Sequence, residues 1–172
     1  NQYQEMPSSN IGYRYTYYNS GQVKTITDPE NNTTSYTYDL YGNVLTEIRP
    51  NGSIISYEYD VLNRVTKIYS QDLATSQKEL LKSYTYAILS DKKTQISETI
   101  YLNDTETATT VYVYDYADRL IKQTNPEGGH TTTKYNANGT IYSVTDPLDN
   151  VTYYRYDGLN RPVEQWVPFG DN

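Results

Sequence analysis

Residues 36–44 read Tyr36-Thr37-Tyr38-Asp39-Leu40-Tyr41-Gly42-Asn43-Val44, and the order of residue types in this stretch decides the fold. Alternating aromatic and β-branched residues suit a strand, in which Tyr36 and Tyr38, two apart, share one face while Ser35 and Thr37 take the other. Asp39 has a short carboxylate that accepts backbone N–H bonds from a turn. Gly42 follows three residues later, and Gly enters the left-handed region without steric cost. A type I turn closed by a left-handed residue in a bulge is the three-residue hairpin loop. The stretch therefore predicts strand, tight turn, and a second strand resuming at Val44.

Working outward, the same pattern recurs on one phase. The pairs Tyr15/Tyr17, Tyr36/Tyr38, Tyr57/Tyr59, Tyr112/Tyr114 and Tyr154/Tyr156 keep it, and Tyr135 joins with Thr133 in place of the first ring. Within each run, Tyr17, Tyr38, Tyr59 and Tyr114, Tyr135, Tyr156, the step is 21 residues. The residue after each pair is Tyr18, Asp39, Asp60, Asp115, Asn136 or Asp157, and three further on stand Gly21, Gly42, Asn63, Asp118, Gly139 and Asn160. Gly, Asn and Asp are the types that most readily adopt positive φ. Asp39, Gly42, Asp60, Asn63, Asp115, Asp118, Gly139, Asp157 and Asn160 are accordingly read as structural turn residues. The repeats with Tyr18, Ala87 and Asn136 depart from Asp and are expected to turn less tightly.

Prolines mark a second connection on the same period: Pro29 and Pro50, then Pro126, Pro147 and Pro168, with Asn31, Gly52, Gly128, Asp149 and Gly170 two residues after each. This predicts a type I turn with Pro at its first central position and a left-handed residue at its end. Each unit is thus a β-hairpin joined to the next β-hairpin, an internal repeat whose units stabilise one another by stacking. With two strands per repeat at about 4.8 Å, equivalent Tyr residues stand about 10 Å apart, with residues such as Val44 and Val65 between them. Val23/Ile26, Val65/Ile68 and Ile141/Val144 are three apart, which puts them on opposite faces unless a bulge intervenes.

The array covers 1–172, with three regular repeats over 13–69, an irregular one over 70–108 and three regular ones over 109–172. In the middle, Leu80 to Leu89 and Thr94 to Tyr101 predict a longer hairpin about Asp91–Lys93, flanked by loops near Gln71–Glu79 and Asn103–Thr107. A short helix over Leu73 to Lys82 is the alternative, because Ala, Gln, Lys, Glu and Leu favour it. The fold class is all-β: tandem hairpin repeats in a twisted, spiralling antiparallel sheet.

Composition supports this and narrows function. Leu, Ile, Val and Phe make up about a fifth of the 172 residues, while 22 are Tyr, so the aromatic rings must supply the apolar area that aliphatics lack. A net charge of −7 with no basic run argues against nucleic-acid binding. No apolar stretch approaches the ~18 residues of a membrane span. There is no Cys and one His, so neither a disulfide scaffold nor thiolate chemistry is expected. Starting at Asn1 without a signal segment, the chain is read as a piece of a larger protein.

The motifs Tyr36-Thr-Tyr38-Asp39-Leu-Tyr-Gly42-Asn43-Val44, Tyr57-Glu-Tyr59-Asp60-Val-Leu-Asn63-Arg64-Val65 and Tyr154-Arg-Tyr156-Asp157-Gly-Leu-Asn160-Arg161 closely resemble the YD repeat of the RHS (rearrangement hotspot) family. The resemblance covers about Tyr13 to Asn172 apart from the irregular middle. It implies a length of a β-shell wall in a secreted or cell-surface protein, of the kind found in bacterial polymorphic toxins, wall-associated proteins, insecticidal toxin complexes and teneurins. Neighbouring repeats of the parent protein would be its partners, and an encapsulated toxin domain its cargo. No self-cleavage motif, toxin domain or plug is present.

Chemistry is weighed against scaffold. Asp60/Arg64, Asp115/Arg119 and Asp157/Arg161 flank the first turn, with Asp39/Asn43 and Asn136/Thr140 where Arg is absent. Carboxylates about 10 Å apart cannot share an ion held at ~2.4 Å, so cross-turn pairing is expected and no metal site. His130 has no nucleophile or orienting acid at defined spacing and reads as a turn-adjacent surface residue. No enzyme and no cofactor are expected. Aromatics outside the repeat register, Tyr41 and Tyr116 in turns and Trp166 with Phe169 near the C-terminus, are the candidates for carbohydrate binding, on a cell-surface glycan for example. An array cut from its neighbours exposes edge strands and is expected to self-associate through them.

Overall fold

The computed structural model describes residues 12–72 and 76–168. They form fourteen strands: β1 Arg14–Tyr17, β2 Val23–Thr27, β3 Thr33–Tyr38, β4 Val44–Ile48, β5 Ser53–Tyr59, β6 Val65–Asp72, β7 Lys78–Ile88, β8 Thr94–Tyr101, β9 Thr107–Tyr114, β10 Leu120–Thr124, β11 His130–Tyr135, β12 Ile141–Thr145, β13 Val151–Tyr156 and β14 Pro162–Trp166. A single 3-10 turn, Ser90–Lys92, is the sole helical element among the described residues. The chain divides into two units, Asn1–Lys82 and Ser83–Asn172, the division falling inside β7. In the first unit β1 to β6 pair in sequence order, each antiparallel to the last. In the second, β8 to β14 do the same. All-β architecture built from consecutive hairpins is what the turn chemistry dictates.

Both connections of the repeat use one turn. At the first, the N–H of Asp39 donates to the Asn43 carbonyl (2.9 Å) and that of Gly42 to the Asp39 carbonyl (3.3 Å). At the proline connection, Asp28 and Asn32 (2.9 Å) with Asn31 and Asp28 (3.1 Å) repeat the pattern. Gly21, Gly42, Asn63, Asp118, Gly139 and Asn160 all have positive φ, as do Asn31, Gly52, Gly128 and Asp149. Gly170 lies outside the described residues. Tyr18 and Asn136 do not loosen their turns: Tyr18 to Gln22 (2.9 Å) and Asn136 to Thr140 (2.8 Å) close as tightly as the Asp turns. The backbone bonds and the left-handed glycine carry the turn, so the side chain at its start can vary. Ala87 lies within β7 and starts no turn.

A bulge settles the faces. Tyr59 pairs with Val65, yet Tyr57 pairs with Ile68, because the register shifts by one residue at Thr66. Tyr17/Val23 with Tyr15/Ile26, and Tyr135/Ile141 with Thr133/Val144, do the same. Aliphatics three apart thereby share the face of the Tyr pair. The opposite face of the first unit carries hydroxyl ladders, Thr16 to Thr25 (2.6 Å), Thr37 to Thr46 (2.6 Å) and Thr27 to Thr33 (2.9 Å). Cross-strand pairs of these kinds contribute roughly 0.2–1 kcal/mol each. Among the described residues Ile55 is the one buried apolar side chain, 7% exposed, so pairing and half-buried rings hold the sheet and a closed core does not.

Between β7 and β8 the chain makes a longer hairpin. Its turn places Asp91 and Lys92 at positive φ, and Leu89 donates to the Lys93 carbonyl at 2.8 Å. The flanking loops are shorter than the sequence suggests: β6 runs on to Asp72 and β7 begins at Lys78, while Thr107 opens β9. Lys78 to Lys82 are strand, which excludes a helix there; 73–75 lie outside the described residues.

Candidate functional site

The turn carboxylates are held by a fixed set of donors. In Asp60, Oδ1 accepts the N–H groups of Leu62 (2.9 Å) and Arg64 (3.0 Å), and Oδ2 accepts Arg64 Nε (2.7 Å). Asp115 and Asp157 make the same bonds with Arg119 and Arg161. Asp39 and Asp146 use Asn43 and Asn150 in place of Arg. These donors hold the carboxyls below the usual range: the Arg64 and Arg119 side chains act first on Asp60 and Asp115, the Asn43 amide on Asp39, and the Arg161 backbone N–H on Asp157. Both oxygens of each carboxylate are engaged in closing its own turn. Among the described residues no group of three His, Cys, Asp or Glu can hold a metal ion. His130 opens β11 opposite Thr124 and is exposed.

Tyrosine hydroxyls join one hairpin to the preceding one. Tyr59 donates to the Val44 carbonyl (2.8 Å) and Tyr135 to the Leu120 carbonyl (2.9 Å), in each case the first strand residue after the previous turn. The Arg119 guanidinium lies over the Tyr135 ring, 4.7 Å from its centroid. Where Tyr18 replaces Asp, its hydroxyl reaches the Tyr36 carbonyl (2.9 Å) and its ring meets Tyr38 edge-on. A cleft of about 550 Å³ opens there, lined by Tyr17, Tyr18, Lys24, Tyr38 and Asp39 among others.

Of the aromatics singled out by sequence, Tyr41 stands free on its turn, 82% exposed, and so does Tyr116 at 78%. Tyr41 belongs to the first unit and Tyr116 and Trp166 to the second. Trp166 is on β14, stacked on Tyr153 at 5.6 Å, and Tyr153 meets the Tyr142 ring edge-on at 5.5 Å. This three-ring row was not foreseen, because Tyr142 reaches it only through the bulge in β12. Phe169 lies outside the described residues.

Fold and turns together define a protein of tandem antiparallel β-hairpin repeats. Residues 17–54 match the family model described as RHS Repeat, and this part of the chain is an RHS/YD repeat. No curated protein matches the chain. Among solved structures, it is similar to crystal structures of TcdB2-TccC3-Cdc42 (12% identity, TM-score 0.47), TcdB2-TccC3-TEV (13%, 0.44) and TcdB2-TccC3 (12%, 0.45). Each comparison covers 91% of this chain and 11% of the other, so the chain spans about a tenth of their length. Among the described residues no helix is long and apolar enough to cross a membrane.

Proposed function

We propose that the chain is a non-catalytic length of wall in a β-shell, within a larger secreted or cell-surface protein that encloses a toxin domain or builds a surface barrel. The observation that carries this reading is the use to which the polar groups are put. Turn carboxylates, their Arg and Asn partners and the Tyr59 and Tyr135 hydroxyls all bond within the repeat or across one repeat junction, which is what a scaffold requires. Neighbouring repeats are then the first partners. Electron microscopy of the protein that carries this segment, with a short epitope inserted at Tyr41, tests it: antibody decorating the wall of a hollow particle supports the reading, and decoration of a solid globular domain overturns it.

A second reading, carbohydrate binding, is favoured by the Tyr142–Tyr153–Trp166 row and by the exposed rings of Tyr41 and Tyr116, since sugar rings stack on such faces. A glycan array is the test. Specific binding that is lost in Trp166→Ala, Tyr41→Ala or Tyr116→Ala supports it, and an array without specific binding removes it.

A further inference from the structure

We propose that Asn51, on the turn between β4 and β5, is an acceptor for an N-linked sugar, transferred from a donor that carries the sugar on a diphosphate.

An Asn two residues before Ser or Thr is the acceptor motif of such a transfer and belongs on a surface turn. The sequence holds six: Asn31, Asn32, Asn51, Asn103, Asn138 and Asn150, followed at that distance by Thr33, Thr34, Ser53, Thr105, Thr140 and Thr152. The fold sorts them. Asn32 and Asn150 donate Nδ2 to Asp28 and Asp146, each at 2.9 Å, and so commit their nitrogens to the turn. The Thr33 hydroxyl is paired with that of Thr27 (2.9 Å) and does not serve Asn31.

In the other three, the hydroxyl and the backbone N–H two residues on both donate to the Asn Oδ1. Ser53 does so to Asn51 (2.8 and 3.0 Å), Thr105 to Asn103 (2.9 and 3.0 Å) and Thr140 to Asn138 (2.8 and 3.3 Å). Asn103 then donates Nδ2 to Glu106 (2.8 Å) and Asn138 donates Nδ2 to Asn160 (2.7 Å). Asn51 Nδ2 has no partner among the described residues, and Asn51 is exposed next to the exposed Arg49 and Pro50.

This geometry suits the chemistry. In the transfer, Nδ2 loses one proton to a base of the transferase and forms a bond to the sugar C1, while the C1–O bond breaks with its electron pair leaving on the diphosphate. An amide nitrogen is a poor nucleophile, but losing the proton places charge on Oδ1, where the two Ser53 donors already point. The competing attack of the Gly52 nitrogen on the Asn51 side chain is held back, because the Gly52 N–H donates to the Arg49 carbonyl at 2.9 Å. The turn is closed through Oδ1 and through backbone bonds such as Arg49 to Ser53 (2.9 Å), so a sugar on Nδ2 displaces none of them. At Asn103 and Asn138 the nitrogen first has to give up its bond.

The folded, purified 172-residue chain tests this, with circular dichroism on every sample. One arm supplies a single-subunit oligosaccharyltransferase that accepts Asn-x-Ser/Thr with its lipid-diphosphate oligosaccharide; the other supplies a soluble N-glucosyltransferase with UDP-glucose. Peptide mass spectrometry reads each Asn. Modification at Asn51 is expected in at least one arm, which names the source of the sugar, at about five-fold the rate at Asn103 or Asn138 or more. Ser53→Ala should abolish it. Asn160→Gly keeps a residue suited to the positive φ there and frees the Asn138 nitrogen, so it should raise modification at Asn138 about five-fold. An unmodified Asn51 in both arms, equal rates at the three sites, or an Asn138 rate unchanged in Asn160→Gly overturns the proposal. A chain without a strand spectrum lacks the turn geometry and overturns it as well.

Discussion

The Tyr59 hydroxyl donates to the Val44 carbonyl at 2.8 Å, tying the second Tyr of one repeat to the first strand residue after the previous turn. Tyr59→Phe removes that donor and leaves the ring, so it is expected to destabilise the chain by about 1 kcal/mol, the typical net worth of such a bond. Tyr135→Phe should do the same through Leu120. Urea denaturation with an unchanged m-value measures both.

Gly42 has φ +92°, and a Cβ added there meets nothing closer than Gln22 Nε2 at 3.4 Å. Space is therefore sufficient and the backbone alone resists. Gly42→Val is expected to cost about 1–2 kcal/mol or more, and Gly139→Val likewise. Asn63→Gly, at the equivalent turn position, is expected to be close to neutral. Thermal and urea unfolding of the three variants separates the outcomes.

The lowered carboxyls of Asp39, Asp60, Asp115, Asp146 and Asp157 give stability a pH dependence. A carboxylate whose folded value lies below its unfolded one contributes stability that is present above about pH 4 and is lost as pH falls through the folded value. The urea midpoint is expected to hold from pH 7 to about 5 and to fall below about 4. Replacing Asp39, Asp60, Asp115 and Asp157 together by Asn should flatten that acid limb.

These turns were legible in the sequence because positive φ admits few residue types, and Gly, Asn or Asp at a fixed distance from Asp announces it. That the proline connection is the same turn was also written there, since Asp28 and Asp146 precede Pro29 and Pro147 as Asp39 precedes Leu40. The bulge was not legible. Its extra residue is Lys24, Leu45, Thr66, Ile121, Tyr142 or Val163 in turn, with no common chemistry, because it is selected by pairing across strands. Sequence therefore left Val65 and Ile68 unresolved, and the ring row of Tyr142, Tyr153 and Trp166 unseen.

Glu47 occupies, opposite Tyr36, the position that Ile26, Ile68 and Val144 hold in other repeats. Its side chain is 22% exposed and pairs with Arg49, which is 50% exposed. A pair so open to water contributes at most about 1 kcal/mol, whereas Ile on the ring face buries apolar area at roughly 25 cal/mol per Å². Glu47→Ile is expected to stabilise the chain by about 1 kcal/mol.

The central claim is that each repeat is a bulged hairpin whose Tyr pair and aliphatics share a face. Nuclear Overhauser contacts across β5 and β6 test it most directly. The account predicts close backbone contacts between Tyr59 and Val65 and between Tyr57 and Ile68. Contacts joining Tyr57 to Lys67 in their place, the register of an unbulged hairpin, would contradict it.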